Sequence, residues 1–134
     1  MHEMAEKMIE AAIEVAARAY APYSKFHVGA ALLTHDGEII VGCNVENASY
    51  GLTICAERNA IFAAVARNIR TFRAVAIVAD GEVMPFPCGA CRQVLSEFCG
   101  PATPVYVASI SKPGEIKALT MGELLPHAFA FGDE

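Results

Sequence analysis

Residues 73–79, Arg-Ala-Val-Ala-Ile-Val-Ala, form a short apolar run rich in alanine and β-branched side chains. A continuous run of this length is typical of a strand that is buried on both faces of a sheet. A predicted helix precedes it at residues 55–67, and a loop rich in proline and glycine follows it. The loop leads to a predicted helix at 88–98 and a strand at 104–110. The run therefore predicts the centre of an α/β sheet.

The segments farther from this run supply the rest of a sheet and its helices. They are, in chain order, a helix at 3–20 that ends before Pro22, strands at 27–34 and 38–43 joined by the hairpin signal His35-Asp36-Gly37, a turn at 111–115, an edge strand at 116–119 and a short helix at 120–125. Strands that alternate with helices predict an α/β fold with helices on the faces of the sheet. A length of 134 residues predicts one domain, residues 1–134.

Composition excludes several classes of function. The net charge is −5 and the ten lysines and arginines are scattered, so no basic stripe predicts a nucleic-acid partner. No apolar run approaches the roughly 18 residues that a membrane span needs. The five cysteines are an odd number in a chain without an apparent export signal, which favours a reducing compartment. We therefore expect a cytoplasmic protein that binds neither nucleic acid nor membrane.

Two local motifs carry the chemistry. The first is Cys55-Ala56-Glu57-Arg58 and the second is Pro87-Cys88-Gly89-Ala90-Cys91, and each opens a predicted helix. The exposed N–H groups of a helix start favour negative charge, and zinc binds the thiolate form of cysteine. Gly89 and Ala90 keep the second motif compact, so both of its sulfurs can reach one ion.

The number of ligands indicates the kind of zinc site. Structural zinc sites usually have four protein ligands, whereas catalytic sites have three and leave the fourth position for water. Cys55, Cys88 and Cys91 make three, which predicts one catalytic Zn²⁺ per chain. Three thiolates and Zn²⁺ sum to a formal charge of −1, and Arg58 lies on the same side of the helix as Cys55, where it would offset that charge. Glu57 is placed for a proton shuttle.

Other interpretations of these residues remain open at this stage. Cys88 and Cys91 alone could form a redox pair or part of a structural zinc site, with no role for Cys55 and Glu57. Cys43 ends a strand and Cys99 ends a helix, which favours buried, inert thiols. None of the four histidines stands at a spacing typical of a fourth ligand: His2, His27, His35 and His127.

The sequence resembles the cytidine deaminases of the small, homotetrameric, zinc-dependent type, nearly from end to end. The segments that carry the resemblance are Ala21-Pro22-Tyr23-Ser24-Lys25-Phe26, Val28-Gly29-Ala30-Ala31-Leu32, residues 42–50, Cys55-Ala56-Glu57-Arg58, residues 87–93 and Glu123-Leu124-Leu125-Pro126. The family implies a three-layer α/β/α fold with a mixed five-stranded sheet. It also implies hydrolytic deamination of cytidine and deoxycytidine to uridine and deoxyuridine plus ammonia, by zinc-bound hydroxide with Glu57 as proton shuttle. The same resemblance implies a role in pyrimidine salvage.

The resemblance also implies roles for individual residues. Asn44, Val45 and Glu46 belong to the substrate site, with Asn44 and Glu46 bonded to the ribose hydroxyls. Phe26 stacks near the base, and the backbone of Ala56 faces the pyrimidine carbonyl. Tyr50 and Phe129 complete the sites of neighbouring subunits in a homotetramer. The related blasticidin-S deaminases remain an alternative, and Phe86 departs from the small residue that relatives often have before the proline.

Overall fold

The computed structural model describes residues 3–131, and its strands form one five-stranded sheet in the order β2-β1-β3-β4-β5. The strands are β1 (Val28–Leu33), β2 (Ile39–Cys43), β3 (Ala74–Ala79), β4 (Pro104–Ser109) and β5 (Lys112–Thr120). Strand β1 pairs antiparallel with β2 and β3, and β5 pairs antiparallel with β4. Strands β3 and β4 are parallel. The predicted mixed sheet is therefore confirmed.

Helices cover both faces of the sheet. They are α1 (Ala5–Ala16), α2 (Ala56–Ala66), α3 (Gly89–Phe98) and the short α4 (Met121–Leu124). Helix α1 packs on one face, and α2 and α3 pack on the other, which confirms the three layers. Helix α3 is the crossover that a parallel pair such as β3 and β4 requires. None of the described helices combines the length and apolar character needed to cross a bilayer.

Strand β3 is the centre that the sequence predicted. All six of its residues are buried, and its side chains alternate between the two cores. Val75 and Ile77 face the core under α2 and α3, whereas Ala74, Ala76 and Val78 face the core under α1. The two-residue period of a strand thus makes both faces of β3 apolar. The hairpin between β1 and β2 also forms, and Gly37 has a positive φ of 88° there.

Two segments differ from the prediction. Helix α1 ends at Ala16 and not at residue 20, because Tyr20 leaves the helix to form a parallel bridge with Val45. Strand β5 begins at Lys112, so the predicted turn at 111–115 shortens to residues 110–111. An edge strand accepts Pro113 because one side of it makes no ladder bonds. The irregular stretch after β2 contains a 3₁₀ turn, Tyr50–Leu52.

Two glycines allow helices to lie close to the sheet. A Cβ atom at Gly29 would lie 1.9 Å from the carbonyl oxygen of Ala12 in α1. A Cβ atom at Gly42 would lie 2.4 Å from the backbone nitrogen of Ala60 and 2.8 Å from the carbonyl oxygen of Ala56. Both obstacles at Gly42 are backbone atoms of α2, so they cannot move as a side chain can. Gly42 therefore sets the distance between β2 and α2.

We expect Gly42→Ala to destabilise the protein, because the added methyl group forces α2 away from the sheet. Overpacking of this kind costs about 1–3 kcal/mol. Urea unfolding at 25 °C measures the loss. Gly114→Ala is the matched control, because no atom lies within 4 Å of its added Cβ and its φ is not positive. Equal free energies of unfolding for the two variants would contradict the close-packing role of Gly42.

Candidate metal centre and active site

The three cysteines of the two motifs lie at the starts of two helices. Cys55 is the N-cap residue of α2, and Cys88 is the N-cap residue of α3. Both have extended backbones, with ψ of 158° and 171°, so the chain enters each helix through a sharp bend at the cysteine. Cys91 is the third residue of α3. All three sulfurs therefore lie near the positive ends of helix dipoles, which favour thiolates.

The sulfur atoms lie close enough to bind one ion. The Sγ atoms of Cys55, Cys88 and Cys91 are all within 4.8 Å of one another. Sulfurs bound to one zinc at about 2.3 Å with tetrahedral angles lie about 3.8 Å apart, so this group fits zinc after small side-chain rotations. Cys91 is buried, Cys55 is half-buried and Cys88 is exposed, so the group is open on one side. The predicted zinc-binding group is thus present.

No fourth ligand joins the three sulfurs within residues 3–131. The only group of three or more possible ligands found there consists of these three cysteines. His27, His35 and His127 lie outside it, and His2 lies outside the described residues. His27 instead contacts Asp80, with 2.8 Å between Nδ1 and Oδ2. Three protein ligands and one open side are the arrangement of a catalytic zinc site.

Arg58 contacts the cysteine group, where the sequence placed it. Its Nη2 lies 3.4 Å from the Sγ of Cys55, at the distance of a hydrogen bond to sulfur. Hydrogen bonds from Cys91 and Arg58 lower the pKa of the Cys55 thiol to about 5, although burial opposes them. The hydrogen bond to Cys55 and burial raise the pKa of Cys91 above its usual range. The guanidinium group therefore stabilises negative charge on the sulfurs.

Glu57 lies beside this group in the first turn of α2. Its side chain is buried, with 5% of the residue exposed. The pKa of its carboxyl group is raised to about 7, mainly by burial and in part by negative charge on Cys55. A carboxyl group in this environment can hold a proton near neutral pH, as an acid–base group must.

A cavity of about 270 Å³ opens onto Glu57 and two of the cysteines. Its lining includes four residues that the sequence assigned to substrate: Phe26, Asn44, Glu46 and Ala56. It also contains Cys55, Cys88 and Glu57. Phe86 and Pro85 form part of its wall, so the larger residue at position 86 borders the same space. The remaining lining residues are Ser24, Val28 and Thr53.

Asn44 and Glu46 hold the loop that precedes β1. The Oδ1 atom of Asn44 accepts a hydrogen bond from the backbone N–H of Val28 at 2.9 Å, and its Nδ2 donates to the carbonyl of Phe26 at 2.8 Å. The Glu46 carboxylate accepts from the backbone N–H groups of Tyr23 and Ser24, at 2.9 and 3.1 Å. Two polar side chains of the cavity are therefore fixed by the backbone opposite them.

Val45, Tyr50 and Phe129 do not line this cavity within the chain. The backbone of Val45 pairs with Tyr20 and Ile54, and its side chain is exposed. Tyr50 is 75% exposed and packs edge to face on Tyr23, with ring centroids 6.0 Å apart. Phe129 is 70% exposed, and its carbonyl accepts a hydrogen bond from Nε2 of Gln93 at 3.2 Å.

Proteins similar to this chain belong to a family with a zinc-binding region, as the three-cysteine group suggests. The family model described as "Cytidine and deoxycytidylate deaminase zinc-binding region" matches residues 2–108. The chain belongs to this family. It is 51% identical to the cytidine deaminase of Sporosarcina psychrophila over 128 residues, which cover 96% of this chain and 93% of the relative. It is 50% identical to the cytidine deaminase of Halalkalibacterium halodurans over 128 residues, which cover 96% of this chain and 96% of the relative.

Solved structures of the family have the same fold. The crystal structure of cytidine deaminase from Burkholderia pseudomallei aligns with a TM-score of 0.88 at 47% identity, and the alignment covers 96% of this chain and all of that one. A blasticidin-S deaminase from Bacillus cereus is more distant, at 31% identity over 128 residues, which cover 90% of this chain and 88% of the relative. The chain therefore has the fold of a solved cytidine deaminase and matches the zinc-binding region of the family.

Two residues that support the deaminase site had no role in the sequence prediction. Nε of Arg92 donates to the carbonyl of Pro87 at 2.6 Å, and Nη1 donates to the carbonyl of Leu124 at 2.8 Å, so Arg92 ties the loop before Cys88 to α4. Nδ2 of Asn59 donates to the carbonyl of Cys43 at 2.8 Å. Their partners are backbone carbonyls, which leave no signal in the residue types.

We expect Cys55→Ala to lose its zinc, because two thiolates and one helix start cannot supply the three ligands of this site. Elemental analysis of the purified protein measures zinc per chain, with about one expected for the wild type. Cys43→Ala is the matched control, because Cys43 is free and outside the metal-binding group. Full zinc retention in Cys55→Ala would contradict this ligand set and favour a site built on Cys88 and Cys91.

Proposed function

We propose that this chain is a zinc-dependent cytidine deaminase, which converts cytidine and deoxycytidine to uridine and deoxyuridine with release of ammonia. One observation carries the proposal: the buried carboxyl group of Glu57 borders both a three-cysteine metal site and a cavity of about 270 Å³. A proton-transfer group, a Lewis-acid site and a space for a small substrate therefore meet at one place. The relatives at 50% and 51% identity carry the name cytidine deaminase.

Cys55, Cys88 and Cys91 would hold the zinc. When bound, the ion supplies Lewis-acid chemistry that makes water acidic enough to ionise near neutral pH. Arg58 donates to Cys55, and this contact offsets part of the negative charge of three thiolates. The roles of these side chains follow from the chemistry of the donor set, since thiolates at helix starts suit zinc.

Glu57 moves the protons of the reaction in this proposal. It takes one proton from a water whose oxygen bonds to C4, and it transfers this proton to N3 of the pyrimidine ring. It then takes the remaining proton from that oxygen and gives it to the amino group, so the C4 carbonyl forms as the C4–N bond breaks. One water is consumed and one ammonia leaves, so the balance requires no oxidant or reductant. Burial supports the role, because a carboxyl group shielded from bulk water exchanges protons with its substrate and not with solvent.

Residues of the cavity wall would hold the nucleoside. Asn44 and Glu46 bind the ribose hydroxyls, Phe26 stacks near the base, and the backbone of Ala56 faces the pyrimidine carbonyl. Support comes from position, since all four line the cavity beside Glu57. Val45 belongs to the same segment as Asn44 and Glu46, and we assign it a substrate contact that its exposed side chain makes from the rim.

Three other functions are less well supported. A redox or structural-zinc protein would use Cys88 and Cys91 alone, whereas the sulfur of Cys55 lies within 4.8 Å of both. Blasticidin S as the main substrate is disfavoured by the 31% identity to a blasticidin-S deaminase, against 51% to a cytidine deaminase. The acidic chain with scattered basic residues also disfavours a polynucleotide substrate.

The proposal has a direct test in an ultraviolet assay. The wild-type protein should remove the cytidine absorbance, and it should act on blasticidin S more slowly. We expect Glu57→Gln to keep its fold and zinc but to lose at least about 10²–10⁴-fold in turnover, the usual contribution of a general acid–base group. Glu115→Gln, an exposed change in β5, is the control. Near-normal turnover in Glu57→Gln would contradict the proton-shuttle role.

We further propose a homotetramer with shared active sites. Support comes from exposed aromatic side chains, of which Tyr23 and Tyr50 contact each other, because contiguous exposed apolar surface marks protein–protein contacts. The exposed aromatic residues include Tyr20, Tyr23, Tyr50, Phe62, Phe129 and Phe131. In this arrangement Phe129 and Tyr50 cover the cavities of neighbouring subunits, which excludes water from the zinc and strengthens its electrostatic effect. Closed symmetry lets every subunit give and receive the same contact.

A mixing experiment tests the shared site. Glu57→Gln and Phe129→Ala chains should each be nearly inactive, and equal amounts refolded together should recover about a quarter of wild-type activity, because half the cavities keep Glu57 and half of those receive Phe129. Glu57→Gln mixed with Cys55→Ala is the control. Those two changes affect the same cavity wall, so no mixed site is fully intact. An active monomer, or no recovery in mixed tetramers, would contradict the sharing.

The cellular setting is the remaining part of the proposal. A cytoplasmic location suits five free cysteines, three of which are the zinc ligands, because a reducing compartment preserves them. Conversion of cytidine to uridine suits pyrimidine salvage. We also propose that residues 1–134 form one domain, because the described helices and strands all pack on a single sheet.

A further inference from the structure

The hydroxyl group of Ser24 lies between two groups that the proposed function assigns to the substrate. Its Oγ donates to Oε2 of Glu46. An ionised carboxylate has hydrogen-bond acceptors and no donor, so the Ser24 hydroxyl is the donor in this pair. The same Oγ accepts a hydrogen bond from the backbone N–H of Phe26 at 3.0 Å. Ser24 itself lines the cavity with Phe26 and Glu46. One hydroxyl group thus connects the aromatic wall of the cavity to its outer carboxylate.

The carboxylate of Glu46 has little bonding capacity left. An ionised carboxylate offers about four acceptor positions. Backbone N–H groups of Tyr23 and Ser24 occupy two on Oε1, and the Ser24 hydroxyl occupies one on Oε2. The single open position is therefore on Oε2, next to the Ser24 hydroxyl. The hydroxyl bond is also the main cause that lowers the pKa of Glu46, so the group stays ionised and accepts.

The backbone around Ser24 is held in an uncommon conformation. Lys25 has a φ of 62°, which is rare for a residue with a side chain and costs energy. This conformation turns the chain so that the N–H of Phe26 reaches back to Ser24. The turn therefore sets where the Phe26 backbone lies against Asn44, whose Nδ2 donates to the Phe26 carbonyl at 2.8 Å.

We propose that Ser24 is a positioning residue for the sugar of the nucleoside, an inference that rests on the proposed function. Its hydroxyl holds Oε2 of Glu46 in one orientation and leaves one acceptor position open to a sugar hydroxyl. Without it, the carboxylate keeps its two backbone bonds but rotates about them, and the sugar hydroxyl loses a fixed partner. The effect falls on binding and not on the proton transfers at Glu57.

A purely local role is the alternative, in which Ser24 only stabilises the turn at Lys25. The two roles predict different substrate dependence. A loosened turn shifts Phe26 and weakens binding of every pyrimidine nucleoside to the same extent. A lost contact to the 2′- or 3′-hydroxyl weakens only those nucleosides that carry such a hydroxyl. Cytidine and 2′,3′-dideoxycytidine differ in those hydroxyls alone, so they separate the two roles.

The test compares steady-state kinetics of the zinc-loaded enzyme on both nucleosides. We expect Ser24→Ala to raise KM for cytidine about tenfold, equivalent to about 1.4 kcal/mol, with kcat changed less than about twofold. For 2′,3′-dideoxycytidine, we expect wild type and Ser24→Ala to differ by less than about twofold in both constants. Calorimetric binding of uridine, which requires no turnover, should show the same tenfold loss of affinity.

Two control variants should behave like the wild type. Ser24→Thr keeps the hydroxyl at an exposed position and should restore the wild-type KM. Ser111→Ala removes an exposed hydroxyl far along the chain in the turn before β5 and should change nothing. If Ser24→Ala does not fold, Ser24→Cys replaces it, since a thiol is a weak donor of similar size.

Three outcomes would overturn the inference: equal losses on both nucleosides, a loss in kcat alone, or no change in Ser24→Ala. Equal losses would assign Ser24 to the turn only. The wild-type protein alone tests the proposed deaminase activity, so failure of that activity is distinguishable from failure of the Ser24 inference. A wild-type chain that binds nucleosides by the same calorimetry but does not deaminate cytidine overturns the activity and leaves the binding comparison to decide Ser24. A chain that neither binds nor deaminates overturns both.

Discussion

The convergence of two helix starts on one point is the constraint on which this site depends. Three sulfurs must come within reach of one ion, and they come from α2 and α3, which are separated in sequence by strand β3. Both helices pack on the same face of the sheet, so their N-terminal ends can meet. Helix dipoles favour negative charge there. Gly42 lets α2, whose N-cap residue is Cys55, lie close to β2.

The same constraint determines the electrostatics around the metal centre. Hydrogen bonds from Cys91 and Arg58 stabilise the Cys55 thiolate against the opposing effect of burial, while burial raises the pKa of the neighbouring Glu57. Two acidic groups only two residues apart in sequence thus experience opposite pKa shifts: the Cys55 thiol ionises more easily and the Glu57 carboxyl less easily. Separation of pKa values in this way assigns different work to adjacent groups. A metal ligand and a proton carrier can therefore lie side by side.

Two polar side chains of the cavity wall also form hydrogen bonds with neighbouring parts of the protein. Asn44 uses both ends of its amide on the backbone of Phe26 and Val28, and Glu46 uses most of its acceptor capacity on residues 23–24. Preorganisation of this kind lowers the entropy that a ligand must remove on binding. It also makes these residues part of the local fold, because the segment before β1 has no regular structure of its own.

The sequence by itself determined the central strand, the hairpin at Gly37 and the two motifs that begin helices, because apolar periodicity, turn chemistry and ligand spacing are local properties. It left the end of α1, the length of β5 and the supporting contacts of Ser24, Asn59 and Arg92 undetermined. Those features depend on residues distant in the chain: Tyr20 leaves α1 to pair with Val45, and Arg92 bonds to the carbonyl of Leu124. A backbone carbonyl is present at every residue, so only the tertiary structure decides which one a side chain meets.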